Sequence, residues 1–526
     1  MTQVSGITDA AWQAPTASAL VFRALRRFPE RLAFTWDGGS LSYAGALDTI
    51  ARFQAVFSTL HLHEPLRLAL LSANRADAWC AEVAAQALGG AITWLHPMGA
   101  LADQIEQLAD ARVHALVVDA TAFHGRGGEL ASRAEGLQTV WTLGPAGFGR
   151  DLLAAAEAAG ACTPRDLARH DDIATFNYTG GTTGKSKAAV RRQHGHAAMW
   201  RAILADFELP AVPRYLAAAP ISHVAGTKIM PTLLRGGSVH LMQKFDPSRF
   251  LATLERERLN MSLLVPTMIY TLLDDPAMAR ADLSSLELLL YGASPMSPTR
   301  LLEGIERIGP VFSQLYGQTE CYPISLLRKG DHDVARPDLF ASCGSPLVST
   351  DVRLLDTQGR PVAIGEPGEI CVRAPHAMVD YWQRDELTRS TVVDGWLHTG
   401  DIARADDEGH LFVVDRTKDM IVSGGFNVYP REIEDVLTSD PAVAMAAVVG
   451  VPDARWGEAV LAVVVAKPGA RADAAHLIGL VKARKGAQHA PKQVQFVDAL
   501  PLTALGKIDK KALRAPHWAG KDRGVA

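Results

Sequence analysis

Residues 178–187 read Tyr-Thr-Gly-Gly-Thr-Thr-Gly-Lys-Ser-Lys, which places three glycines, four serine or threonine hydroxyls and two lysines within ten positions. Glycines let the backbone turn tightly and direct several N–H groups at one anion, while hydroxyl and ammonium groups add donors and charge. The preceding residues 173–177 form a strand-like run that would anchor the loop to a sheet. The segment therefore predicts a loop that binds a polyphosphate.

The spacing of this loop argues against a Walker-type P-loop. That motif places a glycine five residues before the glycine of its Gly-Lys-Ser/Thr end. Here the end is formed by Gly184, and the residue five positions earlier is Thr179. Taken alone, the segment also fits a solvent-exposed Gly/Thr turn, so its meaning depends on the rest of the chain.

Four other segments, together with this loop, resemble the ordered signatures of adenylate-forming enzymes. This superfamily contains acyl-CoA synthetases, peptide-synthetase adenylation domains and beetle luciferases. The resemblance covers nearly the whole chain, in family order and with similar spacing. The four segments are Tyr316–Glu320, Gly395–Asp401, Asp415–Asp419 continued by Ser423–Pro430 and Glu432–Glu434, and Leu502–Lys507.

The bulk composition indicates a reduced, cytoplasmic protein of at least two domains. A length of 526 residues exceeds one ordinary domain. A net charge of −4 offers no basic excess for nucleic-acid binding, and no apolar stretch approaches the length of a membrane span. The N-terminus lacks a secretory signal, and the five cysteines form no metal-type pair. The sequence does not indicate an oligomeric state.

Alternating strand-like and helix-like segments predict an α/β fold with helix-covered, largely parallel sheets. From about residue 344, hairpin-like strands and tight turns predict a β-barrel-like subdomain over about 344–415. A small mobile α+β domain is predicted over 418–526, after a large N-terminal domain over 1–417. The predicted strands of the α/β part include Leu66–Leu71, Ala91–Leu95, His114–Asp119, Tyr215–Ala219, Ser238–Met242, Met261–Val265 and Leu286–Tyr291, with a helix over Arg75–Leu88.

The resemblance implies attack of a carboxylate on the α-phosphorus of ATP, with Mg²⁺ required and pyrophosphate released. Glu320 would bind the metal, Thr319 the α-phosphate, Asp401 the ribose hydroxyls, and Arg416 the ribose or phosphates. Gly292, Ala293, Ser294 and Tyr316 would bracket adenine, with Tyr316 stacked on the ring and Gly317 beside the nucleotide and the acid. The residues implied for the β- and γ-phosphates are Thr179, Gly180, Gly181, Thr182, Thr183, Gly184 and Lys187.

Two parts of the C-terminal region carry roles by the same resemblance. Lys507 would reach the carboxylate and the α-phosphate and neutralise charge that grows in the transition state. Lys418 matches the hinge about which the small domain turns after adenylation. Gly424 and Gly425 would then line a tunnel for the incoming nucleophile, where glycines allow close approach of the backbone.

The sequence departs from the family pattern inside the phosphate loop. Gly180 stands where serine is common, Ser186 where proline is common, and Ala188 where glycine is common. The changes remove one hydroxyl and bear on ATP affinity rather than on the type of reaction. A nucleotide-binding regulator without turnover is a second class of function, but the intact Glu320 and Lys507 oppose it.

Residues 220–228, Pro-Ile-Ser-His-Val-Ala-Gly-Thr-Lys, resemble the acyl-pocket segment of the family. His223 would gate the pocket, and Gly226 and Thr227 would line it. Val224 occupies the position where peptide-synthetase domains carry an aspartate for the substrate's amino group, so an α-amino acid is not expected as the activated acid. Lys228 is expected either to meet a polar substituent of the acid or to lie on the surface.

The acceptor of the acyl group is left open by these residues. Most stand-alone members with this layout form a CoA thioester, which makes CoA the favoured acceptor. The alternatives are the amine of an amino acid and the thiol of a carrier protein. CoA commonly docks on scattered surface cations, which form no recognisable motif.

Overall fold

The computed structural model describes residues 14–179, 186–416, 419–423, 426–453, 455–503 and 508–519. The predicted alternation of strands and helices is confirmed, and the predicted ends differ by one or two residues at several elements. The helices of the described residues are α1 (Ala17–Arg27), α2 (Tyr43–Ser58), α3 (Ala76–Ala87), α4 (Leu101–Asp110), α5 (Ala120–Arg133), α6 (Leu152–Ala158), α7 (Gln193–Asp206), α8 (Ile229–Leu234), α9 (Pro247–Arg256), α10 (Pro266–Asp274), α11 (Pro298–Ile308), α12 (Asp385–Thr391), α13 (Pro430–Thr438), α14 (Ala474–Lys485) and α15 (Lys510–Arg514).

The strands of the described residues form four sheets. They are β1 (Leu32–Trp36), β2 (Gly39–Ser42), β3 (Arg67–Leu71), β4 (Ala91–Trp94), β5 (Ala115–Val118), β6 (Thr139–Thr142), β7 (Arg150–Asp151), β8 (Ile173–Thr179), β9 (Lys187–Arg192), β10 (Arg214–Ala217), β11 (Ser238–Leu241), β12 (Met261–Leu264), β13 (Leu288–Gly292), β14 (Phe312–Gln318), β15 (Cys321–Leu327), β16 (Ser345–Pro346), β17 (Asp351–Leu355), β18 (Gly368–Arg373), β19 (Asp380–Tyr381), β20 (Val392–Val393), β21 (Trp396–Ala405), β22 (Leu411–Arg416), β23 (Ile421–Ser423), β24 (Phe426–Val428), β25 (Val443–Asp453), β26 (Gly457–Ala466) and β27 (Gln493–Phe496).

Two large sheets form the N-terminal part of the chain. The first runs β19-β9-β8-β4-β3-β5-β6-β7, and the second runs β16-β15-β14-β13-β12-β10-β11-β1-β2. Their central strands pair in parallel and are apolar on both faces, as expected for strands that helices cover on both sides. The largest hydrophobic cluster contains Leu70 of the first sheet and Tyr215 of the second, so the two sheets share one core.

The ends of these strands bring the signature segments to the sheet edges. The phosphate loop connects β8 to β9, and Thr319 and Glu320 form the turn between β14 and β15. Gly292 is the last residue of β13. Ligands of open parallel sheets bind outside the carboxyl ends of the strands, and these segments lie there.

The β-rich part and the C-terminal part each contain a smaller sheet. The predicted hairpin of β17 and β18 is confirmed, and these strands continue into a five-stranded sheet ordered β17-β18-β21-β20, with β22 beside β21. The C-terminal sheet is ordered β24-β23-β26-β25, with β27 beside β26, and α13 and α14 pack on its apolar face. The boundary predicted at residues 417 and 418 lies outside the described residues and stays a prediction.

Candidate active site

The β8–β9 hairpin carries the first signature at its tip. Thr179 and Lys187 face each other as the last paired residues of this hairpin. The Thr179 hydroxyl is buried and has no hydrogen-bond partner among the described residues, which makes it a donor suited to a bound ligand. Five predicted phosphate-binding residues lie outside the described residues: Gly180, Gly181, Thr182, Thr183 and Gly184.

The two described departures from the family loop have local explanations. Ala188 is buried in β9 and belongs to the core cluster of the first sheet, where a small apolar side chain fits. The Ser186 hydroxyl accepts a hydrogen bond from the Gln107 amide at 3.4 Å. Both residues therefore support the hairpin itself.

Lys187 and Glu320 meet in one cluster, as their predicted roles require. The Lys187 Nζ lies 3.3 Å from the Glu320 Oε1, and the Glu320 side chain is 9% exposed. The Tyr381 hydroxyl bridges the two groups. It donates to Glu320 Oε1 at 2.6 Å and accepts a short hydrogen bond from Lys187 Nζ, which also lies 4.0 Å from the centroid of the tyrosine ring. Burial and the nearby carboxylate raise the pKa of Tyr381, so its proton stays on the hydroxyl.

Tyr381 was not identified from the sequence. It lies on β19, a strand of only two residues, and is separated from Glu320 by 61 positions and from Lys187 by 194. Pairing of β19 with β9 aligns Tyr381 with Ala189, two residues after Lys187. The neighbouring Trp382 indole N–H donates to the Asp110 carbonyl at 2.9 Å and fixes the segment from the other side. Only the sheet pairing brings the tyrosine to the site.

The Thr319–Glu320 turn is held by two contacts with distant segments. The Arg191 guanidinium donates to the Thr319 carbonyl at 3.2 Å, and the Met378 N–H donates to the Glu320 carbonyl at 2.6 Å. Burial lowers the pKa of Arg191, whose side chain is almost enclosed beside Glu320. The predicted metal ligand therefore has both its carboxylate and its backbone fixed.

Tyr316 and Asp401 form the second cluster of signature residues. The Tyr316 hydroxyl donates to the Asp401 Oδ2 at 2.7 Å. Asp401 is 5% exposed and Tyr316 is half-buried. Burial and the Asp401 carboxylate raise the pKa of Tyr316 well above its ordinary value, so the phenol remains a donor. The structure thus joins the residues predicted for adenine and for ribose.

The backbone just before Asp401 forms a bulge within β21, called the Gly400–Asp401 turn below, and hydrogen bonds to β18 hold it. Gly400 adopts a φ of +72°, which favours glycine. Its N–H donates to the Glu369 Oε1 at 2.9 Å, and the Asp401 N–H donates to the Thr399 hydroxyl at 3.1 Å. The Thr399 hydroxyl in turn donates to the Ile370 carbonyl at 2.7 Å. The sequence analysis did not identify Glu369.

The predicted adenine segment shows two backbone constraints. A Cβ on Gly292 would lie 2.2 Å from the Leu315 carbonyl oxygen, so no other residue fits there without displacement. Ala293 has a φ of +66°, which is uncommon for a residue with a side chain and is often found at functional sites. Gly317 is less crowded, since a Cβ there would lie 3.0 Å from both the Cys321 carbonyl oxygen and the Tyr322 ring. Ser294 follows directly on this loop.

The predicted acyl-pocket segment forms a tight turn after β10. A Cβ on Gly226 would lie 1.9 Å from the Ile221 carbonyl oxygen, which explains the glycine. Val224 and Thr227 are half-buried, and the Thr227 hydroxyl donates to the Val224 carbonyl at 2.7 Å. The His223 ring lies edge-on to the His96 ring, with centroids 4.6 Å apart. His96 was not predicted, and burial lowers its pKa.

A surface position for Lys228 is wrong, because this side chain is fully buried. Its Nζ donates to the Thr227 hydroxyl at 2.8 Å and makes a short hydrogen bond to the Tyr322 hydroxyl. Burial lowers the pKa of Lys228 well below its ordinary value. Among the described residues it forms no ion pair, which is unusual for a buried lysine.

Comparison with known proteins identifies the family. The model of the AMP-binding enzyme family matches residues 21–382, and that of the AMP-binding enzyme C-terminal domain matches residues 432–507. A medium/long-chain-fatty-acid–CoA ligase, FadD8 of Mycobacterium tuberculosis, is 43% identical over 96% of this chain and 91% of its own length. The chain belongs to the AMP-binding, adenylate-forming enzymes. It is an ATP-dependent ligase that forms an acyl-adenylate.

Two other relatives differ in the acceptor that their names imply. Feruloyl-CoA synthase of an Amycolatopsis species is 42% identical over 65% of this chain and 70% of its own length. The solved structure of the amide bond synthetase McbA from Marinactinospora thermotolerans superposes with a TM-score of 0.88. The two sequences are 34% identical, and the alignment covers 94% of this chain and 99% of the amide bond synthetase.

The C-terminal part of this AMP-binding enzyme contacts the predicted adenine loop. The Arg431 guanidinium, on α13, donates to the Met296 carbonyl at 3.3 Å. Arg416 pairs by its backbone with Asp401 at the end of β22. Lys418, Gly424, Gly425 and Lys507 lie outside the described residues. No helix among the described residues has both the length and the apolar character needed to cross a membrane.

Proposed function

We propose that this ligase activates a carboxylic acid other than an α-amino acid as acyl-AMP, releases pyrophosphate, and passes the acyl group to CoA. The observation that supports the proposal most directly is the cluster of Lys187, Glu320 and Tyr381 at the tip of the β8–β9 hairpin. A cation, a carboxylate and an unpartnered hydroxyl at one glycine-rich loop suit a metal-bound polyphosphate. CoA is the acceptor named for FadD8, feruloyl-CoA synthase and an indoleacetate–CoA ligase of Aromatoleum aromaticum.

The phosphate loop would bind the β- and γ-phosphates of ATP. Lys187 would exchange its carboxylate partner for a phosphate oxygen, and the Thr179 hydroxyl would donate to another. Thr319 would contact the α-phosphate. Both reactants are anionic, so neutralising their charge and aligning the acid with the α-phosphorus supply most of the rate enhancement.

The residues around Glu320 fit a magnesium ion. Mg²⁺ prefers one or two carboxylates completed by phosphate oxygens and water, and Glu320 offers one buried carboxylate beside a phosphate-binding lysine. The ion would neutralise the departing pyrophosphate. The Tyr381 hydroxyl, which donates to Glu320 Oε1, would keep the carboxylate oriented toward the phosphates.

The nucleoside would lie between β13 and β21. Asp401 would accept hydrogen bonds from the two ribose hydroxyls, and the Tyr316 ring would stack on adenine above residues 292–294. The hydrogen bond from Tyr316 to Asp401 supports this assignment, because it fixes the ring and the carboxylate relative to each other. Arg416, next to Asp401 in register, would approach the ribose or phosphates.

The C-terminal region would complete both half-reactions. Lys507 would stabilise the transition state of adenylation, as its signature implies. Rotation at Lys418 would then bring Gly424 and Gly425 to the acyl-adenylate for attack by the thiol. The contact of Arg431 with Met296 supports a C-terminal domain that docks directly on the nucleotide side.

The acid would enter beside His223, Val224 and Gly226. The apolar Val224 carries no charge for an amino group and suits an aryl, carbocyclic or medium-length acyl group. A second candidate function is amide formation with an amine, which the likeness to the amide bond synthetase favours. The five free cysteines and the use of ATP support a cytoplasmic location.

The test combines the enzyme with ATP, Mg²⁺ and a panel of aryl, carbocyclic and medium-chain acids, with CoA and a mixture of amino acids present together. Products are identified by mass spectrometry. Acyl-CoA as the main product supports the proposal. An amide as the main product transfers the assignment to the second candidate, and the absence of AMP formation with every acid would overturn both.

A further inference from the structure

A carboxylate outside the signature segments is bonded directly to the turn that carries Asp401. Glu369, on β18, accepts the Gly400 N–H at 2.9 Å through Oε1. Its other oxygen, Oε2, lies 2.7 Å from the His398 Nδ1. The Glu369 side chain therefore contacts both His398, which precedes the turn, and Gly400, which is next to Asp401.

We infer that Glu369 is a positioning residue that fixes the Gly400–Asp401 turn and thereby sets the recognition of the ribose hydroxyls of ATP. The inference rests on the proposed function, since it takes Asp401 as the ribose partner. A carboxylate that accepts hydrogen bonds from two hydroxyls needs a defined position, because hydrogen bonds weaken steeply when they are misaligned. Glu369 supplies that position through the backbone.

The geometry of the strands explains why this residue can hold the turn. Glu369 pairs with Ile402 across the β18–β21 ladder, and the register shifts between Glu369 and Cys371. A bulge of this kind re-aims side chains and is common beside active sites. Here it directs the Glu369 carboxylate to the N–H of Gly400, whose positive φ turns that N–H out of the regular ladder.

The same bulge leaves a closed network of polar groups around Glu369. Ligand atoms of Glu369, Cys371 and His398 lie within 4.8 Å of one another, as in some metal sites. Both glutamate oxygens already accept hydrogen bonds, however, and burial raises the pKa of the Cys371 thiol to about 12, which favours the protonated form. The group acts as a brace for the turn.

The orientation of Asp401 has two further supports, so loss of Glu369 should loosen the turn without unfolding the sheet. Thr399 holds the Asp401 N–H, and Tyr316 holds its Oδ2. Without Glu369, the Gly400 N–H loses its acceptor, and the carboxylate can rotate away from one ribose hydroxyl. Recognition of the ribose should weaken more than the chemical step.

The experiment compares ATP with 2′-deoxyATP for the wild type and for Glu369→Leu and Glu369→Gln. Leucine removes both acceptors, whereas glutamine keeps an oxygen that can accept the Gly400 N–H. The readouts are the ratio of kcat/KM for the two nucleotides and the ratio of dissociation constants for AMP and 2′-deoxyAMP by calorimetry. Glu366→Gln, an exposed carboxylate three residues away, is the matched control.

The wild type should prefer ATP by roughly tenfold or more, the scale of one hydrogen bond to a charged group. Glu369→Leu should bring this preference to within about threefold of unity, Glu369→Gln should restore most of it, and Glu366→Gln should match the wild type. A folded Glu369→Leu enzyme with undiminished preference overturns the inference. If the leucine variant does not fold, Glu369→Ala removes the same two acceptors, and undiminished preference in a folded Glu369→Ala enzyme overturns the inference.

One outcome separates this inference from the proposed function. If the wild type itself uses ATP and 2′-deoxyATP equally well, Asp401 is not the ribose partner and the assignment of the nucleoside site fails. If the wild type discriminates but the Glu369 variants discriminate equally, the nucleoside site stands and the positioning role of Glu369 fails.

Discussion

Replacement of Tyr381 by phenylalanine removes one hydroxyl from the centre of the phosphate cluster and leaves the ring in place. The ring position is secured independently, because the Tyr381 N–H donates to the Thr388 hydroxyl at 2.9 Å and Trp382 packs on Phe176 with centroids 5.0 Å apart. The cation–π contact with Lys187 would also persist. The substitution therefore isolates the bridge between Lys187 and Glu320.

The expected loss follows from the two hydrogen bonds of that hydroxyl. A hydrogen bond to a charged group contributes about 1.5–3 kcal/mol. Glu320 is nearly buried, so water replaces the hydroxyl poorly. Lys187, already 3.3 Å from Glu320, should then close on the carboxylate and compete with the phosphates. A net effect of about 2 kcal/mol on the transition state lowers kcat/KM for ATP about thirtyfold.

The assay measures kcat/KM for ATP by pyrophosphate release at saturating acid and Mg²⁺, and the dissociation constant of ATP by calorimetry. Tyr43→Phe is the matched control. Tyr43 is buried, and its hydroxyl donates to the Gly237 carbonyl at 2.6 Å rather than to any predicted site residue. It should lower the melting temperature but leave kcat/KM unchanged. A folded Tyr381→Phe enzyme whose kcat/KM lies within twofold of the wild type would refute the reasoning.

Three further substitutions test separate parts of the site. Lys507→Ala should slow adenylate formation by about two to three orders of magnitude, the scale for loss of one preorganised electrostatic donor. Transfer from supplied acyl-adenylate should stay near normal. Equal loss of rate in single-turnover assays of both half-reactions would exclude a role confined to adenylation. Val224→Asp should lower kcat/KM for apolar acids, because a buried unpaired carboxylate is costly, and should leave ATP affinity unchanged. Unchanged kcat/KM for the acids with a lower ATP affinity would show that the acyl pocket lies elsewhere. Lys228→Met should raise the melting temperature, and the difference from wild type should shrink from pH 7 to pH 10. The pKa of Lys228 is lowered in the folded protein, so the unfolded chain binds more protons over this range and the stability of the wild type rises with pH. A difference in melting temperature that stays constant from pH 7 to pH 10 would contradict this account.

The fold was predictable because its signals are local. Apolar runs such as Leu66–Leu71 and Leu286–Tyr291 became β3 and β13, with ends displaced by one or two residues. The spacing of apolar residues predicts whether such a segment is a strand or a helix, and the glycines beside it predict where it ends. Lys228 shows the limit of this reasoning. A lysine after a loop-like segment suggests solvent, and only the packing of Tyr322 and Phe207 around it makes the position a buried one.

The candidate site was predictable where a residue lies inside a signature, and not where it supports one from another strand. Glu320, Asp401, Lys187 and Tyr316 were identified because five ordered segments carry them. Arg191 has no such marker, since it lies within an ordinary strand and contacts Thr319 across 128 positions. Its burial is the physical signal, and burial of a charged side chain is visible only in three dimensions.

One short stretch of the chain contributes a supporting residue to each of the two signature carboxylates. Glu369 on β18 holds the turn of Asp401, and Tyr381 on β19 holds Glu320, yet these strands belong to different sheets. Between them, Met378 donates its N–H to the Glu320 carbonyl. Residues 369–381 thus connect the proposed ribose site to the proposed metal site. A displacement of this stretch would therefore disturb both sites together, although its own sequence carries no phosphate-binding motif.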